Sequence, residues 1–209
     1  MMKLRIATGL GLVLFMATMI GRTVKASQAK DDEGGVTLAS LAGKSAGRAS
    51  GFETLCFNAT FTALAACASV PPAQRVPYNV AEIFHSTRDA AGNACSVETL
   101  TARRVFGAGL PTSAETIIGV STLISFDPTT GSGTASFKIY HGGSCIGAAS
   151  DGTGTLTATG TVSFDVSDSG NRIEHLITGF TAVASAFSVA GSVNGLVFSG
   201  TAIRLQPRD

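Results

Sequence analysis

The chain has 209 residues, 44% hydrophobic and only 14% charged, with 25 glycines, no tryptophan and a formal net charge of +1. An ordinary globular domain carries roughly 25% charged residues and ~7% glycine. This composition excludes a coiled coil, a charge-driven nucleic-acid binder and a disordered chain, and leaves a Gly/Thr/Ser-rich β domain.

The N-terminus reads as a secretory signal over residues 1–26. Lys3 and Arg5 form a positive start, Ile6 to Ile20 an apolar run, and Val24-Lys25-Ala26 a small-residue cleavage pattern. The apolar run is shorter than the ~20 residues of a spanning helix, so no stable membrane insertion is expected after signal removal. Loss of Lys3, Arg5, Arg22 and Lys25 leaves 11 basic against 14 acidic residues, a mature net charge of −3. The expected location is periplasmic or secreted. Residues 27–35 are polar without apolar period and read as a flexible arm. No linker or charge block divides the rest of the chain, so residues 36–209 are expected to form a single domain.

Within it, Ala46–Glu53 and Val80–Arg88 read as strands, with Pro71, Pro72 and Pro77 in one loop between them and a short helical turn at Thr62 to Cys67. Further strands are expected at Ser96–Val105, from Ile118 to Phe126, and from Ala135 to Ile139; Gly107 to Pro111 forms a loop. Leu156 to Val166 gives the clearest signal. Leu156, Ala158, Val162, Phe164 and Val166 alternate with Thr155, Thr157, Thr159, Thr161, Ser163 and Asp165, one face apolar and the other polar. Ile173–Val189 and Leu196–Leu205 complete the set. Asp89-Ala90-Ala91-Gly92-Asn93, Asp127-Pro128-Thr129-Thr130-Gly131, Asp151-Gly152-Thr153-Gly154, Asp168-Ser169-Gly170-Asn171 and Asn194-Gly195 are turn chemistry rather than calcium loops. About eight antiparallel strands in sequence allow a closed barrel or a two-sheet sandwich. The run of successive hairpins, and the poverty of charge with which to guard an edge, favour the all-β closed meander barrel.

Cys56, Cys67, Cys95 and Cys145 are an even set in an exported chain, and no Cys-x-x-Cys suggests a metal. Disulfides are expected. Spacing leaves three pairings open; the preferred one is Cys56–Cys67 with Cys95–Cys145, because the first closes a short loop at small entropic cost.

Signals for chemistry are weak. Gly43-Lys44-Ser45-Ala46-Gly47 matches a nucleophile-elbow pattern but opens an antiparallel strand, where that motif does not function. His85, His141 and His175 come from separate hairpins and do not specify a metal site. Acidic residues are too scattered to nominate a carboxylate pair, and no catalytic residue, metal or cofactor is implied. Two tyrosines and no tryptophan cannot build the aromatic girdles of an outer-membrane barrel.

The segments Leu41-Ala42-Gly43-Lys44-Ser45-Ala46-Gly47-Arg48, Asp89 to Cys95 and Phe126 to Gly133 resemble those of exported bacterial Gly/Thr-rich all-β proteins. A looser similarity is to lipocalin-like barrels, although Ser45 stands where their Gly-x-Trp signature has tryptophan. The resemblance implies an exported β domain and no particular activity. The expected function is a non-enzymatic barrel holding a small apolar ligand against Phe84, Ile118, Val120, Phe137, Ile139 and Phe164. A solid surface scaffold is the competing reading, and a secreted enzyme built around the histidines is a third.

Overall fold

A computed structural model describes residues 36–105 and 113–205. The expected signal, arm and Gly107–Pro111 loop lie outside them. The described residues form one short α-helix, α1 (Leu38–Leu41), and ten strands: β1 (Gly43–Cys56), β2 (Arg75–Arg88), β3 (Ala94–Arg104), β4 (Ser113–Asp127), β5 (Ser132–His141), β6 (Cys145–Ile146), β7 (Ala149–Ser150), β8 (Thr155–Ser167), β9 (Arg172–Ala182) and β10 (Val193–Arg204).

Eight of these strands close into an antiparallel barrel in the order β1-β10-β9-β8-β5-β4-β3-β2, while β6 and β7 form a separate hairpin. Each barrel strand pairs with the next barrel strand along the chain, and the last pairs with the first through Ser45↔Arg204 to Leu55↔Val193. No barrel edge is left unpaired among the described residues, as the low charge demanded.

Alternation sets the inner face. On β2, Val76, Tyr78, Val80 and Phe84 are buried, and the register carries that face to Gly47, Ala49 and Gly51 on β1. Space inside so narrow a barrel is made by glycine. A Cβ at Gly47, Gly133 or Gly160 would overlap the rings of Phe84, Phe164 and Phe137 respectively, which reach over these positions from the neighbouring strand.

Two apolar layers fill the ends. At one end Phe57, Val76, Tyr78, Val80 and Phe198 pack together with Phe61, Leu64 and Leu196. The disulfide Cys56–Cys67 pins the loop that carries Phe61 and Leu64. At the other, Leu41 of α1 packs on Ala135, Phe164 and Val166 with Leu38, Leu123 and Phe126. α1 is held by a reciprocal cap between Thr37 and Ser40, and Arg204 donates from Nη1 to the Ser40 carbonyl at 2.8 Å and from Nη2 to the Ala42 carbonyl at 2.6 Å.

The second disulfide, Cys95–Cys145, ties the β6–β7 hairpin to β3. Both bonds are the expected ones. Other expectations need correction. Thr62 to Cys67 is not helical; a single 3-10 turn occupies Cys67–Ser69 instead. Pro77 lies within β2, opposite Thr54, rather than in the preceding loop. The run from Ile173 ends as a strand at Ala182. Asn194-Gly195 lies inside β10, where Gly195 has φ +68° and the pairing with β1 slips between Phe52 and Thr54. It is a bulge, not a turn.

Candidate functional site

Between the two apolar ends lies a cavity of about 150 Å3 to which all eight barrel strands contribute residues. Its apolar wall includes Phe84, Phe137, Ile139, Val162, Phe164, Ile177 and Phe198. Its polar wall is Ser45, Glu82, Ser86, Arg88, Ser96, Glu98, Ser121 and His175.

The polar groups sit on the inner face because they fall in phase with apolar neighbours. Glu82 follows Val76, Tyr78 and Val80 at two-residue steps and precedes Phe84. Glu98 lies between Ser96 and Leu100 in the same way. Phe84 pairs with Glu98, and Glu82 with Leu100, so the two carboxyl groups are diagonal neighbours on adjacent strands with an aromatic ring beside one of them. Glu98 lies over Gly119 and His175 over Gly200, where a Cβ would collide with each side chain. His175, Gly200, Ala49 and Glu82 are successive partners across β9, β10, β1 and β2. The histidine and the acid therefore flank two small residues at one level of the wall.

Loss of solvation inside the barrel pushes the Glu82 carboxyl far above the ordinary carboxylate range, and the neighbouring Glu98 adds to it. Burial raises Glu98 too, opposed by the hydrogen bond it accepts from the Ser96 hydroxyl. Burial lowers His175, with Arg88 contributing, which favours the neutral imidazole. Arg88 is also lowered by burial. Its Nη1 donates to the Gly92 carbonyl at 2.7 Å, and its guanidinium carbon lies 5.9 Å from the Phe164 ring centre. Among the described residues no cation forms an ion pair with Glu82 or Glu98; the two ion pairs are His141–Glu115 and Arg172–Glu174. Toward the Cys56 end, burial and Glu115 raise Glu53 to about 7.

Of the six residues nominated from sequence, Phe84, Phe137, Ile139 and Phe164 border the cavity, as does Val120, although its pairing with Cys95 and Lys138 puts its side chain on the outward side of β4. Ile118 does not border it. It pairs with Val97 and Tyr140 and is buried on the opposite face of the sheet, where the β6–β7 hairpin lies against β3 and β4. The inward residues of β4 are those paired to Ser96 and Glu98, namely Gly119 and Ile117. Sequence reading also missed the acid pair, which two distant-looking glutamates form only once β2 and β3 are in register. The signal available was a charged residue in step with an apolar run.

The three histidines do not converge. His85 is exposed, His141 stacks on Phe187 with ring centres 3.8 Å apart, and only His175 faces the cavity. Among the described residues no group of three or more His, Cys, Asp or Glu is placed to hold a metal ion. Gly43-Lys44-Ser45 is strand β1, without the turn a nucleophile elbow needs. Two broader depressions, of about 930 and 660 Å3, open around exposed Ile83, Leu176, Phe52 and Val197; the larger also reaches Glu82 and His175 but not Glu98, and the smaller reaches none of the three.

No protein-family model matches this chain, and no curated protein matches it.

Proposed function

We propose that this chain is an exported barrel protein that encloses one small ligand in its central cavity, in the manner of lipocalin-like containers but on a smaller scale. The observation that carries the reading is the cavity itself: aromatic and aliphatic walls with a few convergent polar groups of perturbed ionisation. Its volume of about 150 Å3 suits a benzene-sized molecule and is too small for the chains of a lipid. Two disulfides fit folding in an oxidising compartment. The outward side chains of β8, from Thr155 to Asp165, are hydroxyls and a carboxylate, which suits water better than the apolar band of a membrane barrel.

The competing reading, a scaffold with no ligand, rests on the stapled frame alone. Methyl-resolved NMR titration with benzene-sized compounds separates the two. Binding in the cavity shifts Ile139 and Ile177 while the exposed Ile83 and Ile124 stay still. If no compound moves the interior methyls, the container reading fails and the scaffold stands.

A further inference from the structure

Resting on the container reading, we infer that the ligand carries a primary ammonium group, held between the Glu82 and Glu98 carboxyl groups and the face of an adjacent aromatic ring. The cavity leaves unusual hydrogen-bonding capacity unspent. Glu82 and His175 have no hydrogen-bond partner among the described residues, and Glu98 accepts only from Ser96. All three border the void. Both carboxyl groups are half-buried and lie close to one another; ionising both there without a counter-charge is disfavoured, so the pair retains a proton, consistent with its raised titration.

An ammonium answers each of these features. It supplies three donors to two acids and replaces the retained proton as the compensating positive charge. Phe84, the strand partner of Glu98, borders the same cavity with its ring against Gly47 and His175, which places an aromatic group beside the cation, and the remaining apolar wall takes the hydrocarbon body. Other charged groups do not occupy the role. Arg88, on β2, is engaged with Gly92 and Phe164. His175, on β9, is biased toward the neutral form. Glu53 of β1 and Glu115 of β4 lie toward the Cys56 end and are both acidic. Among the described residues β5, β8 and β10 add no charged group to the cavity wall.

The test is calorimetry on the purified protein with three probes of matched size: butylamine, butanol and butyrate. Butylamine is a cation at pH 8 and is expected to bind at least about tenfold more tightly than butanol. One proton must leave the acid pair on amine binding, so affinity falls by about tenfold per pH unit on the acid side. The heat of binding then depends on the ionisation enthalpy of the buffer, which butanol does not reproduce. Glu82→Gln/Glu98→Gln is expected to keep butanol binding and lose the amine preference. Should that variant fail to fold, the wild-type comparison of amine with alcohol decides by itself. Equal binding of butanol and butylamine overturns the ammonium inference and leaves the container intact. Tighter binding of butyrate overturns it in favour of an anion site at Arg88. Failure of all three probes to bind overturns the ammonium inference, and the methyl titration with benzene-sized compounds then decides the container reading by itself.

Discussion

The two ends of the barrel are closed by different physics. The end near Cys56 has a covalent staple and a chain of rings, with Phe57 6.2 Å from Phe61 and 6.3 Å from Tyr78 between centroids. The opposite end has a single turn of helix whose carbonyls are gripped by one guanidinium, that of Arg204. The first closure depends on buried area and chain entropy, the second on a few charge-assisted hydrogen bonds. Loosening one should not loosen the other, and the polar layer between them should answer to neither but to pH.

The aromatic end should break hardest. Phe57 is completely buried, and Phe57→Ala is expected to cost about 3–5 kcal/mol in chemical unfolding. Replacing Cys56 and Cys67 by alanine should cost about 3 kcal/mol, mostly by freeing the unfolded chain. In both variants hydrogen exchange should quicken first in residues 56–78 and leave α1 protected. Arg204→Met should show the reverse: about 2 kcal/mol lost, with Leu38–Leu41 exchanging early and the Cys56 loop unchanged. Equal loosening of both ends in either experiment would contradict independent closures.

A pH series sharpens the comparison further. Glu53, Glu82 and Glu98 have folded titrations raised above their unfolded values. Their contribution to stability is therefore complete below the ordinary carboxylate range and is lost as pH rises through neutrality. His175 acts oppositely, because its lowered titration makes protonation favour the unfolded chain near its ordinary value. Three acids against one imidazole give a net decline between pH 5 and 9, at ~1.4 kcal/mol per pH unit for each proton the folded state holds in excess. Glu82→Gln/Glu98→Gln should flatten that slope, and Arg204→Met should not.

Much of the architecture is legible in the chain. Period-two runs and Asp/Asn/Gly turns mark the strands, and the short Cys56–Cys67 loop selects the pairing. What escapes has specific causes. On β4 the apolar series Ile118, Val120, Ile124, Phe126 looks continuous, but the pairing slips between Leu123 and Ser125. Phe126 reaches the core cluster at the helix end although Ile124 is exposed. Alternation cannot be carried through a bulge. Ile118 is apolar for a different reason: it is covered on the outer face by a hairpin whose position depends on a bond to Cys95, fifty residues away from Cys145 in sequence. The acid pair depends on register between β2 and β3, a quantity that neither strand specifies alone. α1 is one turn long, stabilised by its cap and by Arg204, and carries too little periodicity to be foreseen.

The pairing of the first strand with the last has a temporal side. Until residues 193–204 are available, β1 and β9 each present a bare row of amides and carbonyls to any passing chain. The ring therefore cannot be finished piecemeal from the N-terminus; it closes only when β10 is present to zip onto β1, so closure is the last step open to the assembling sheet.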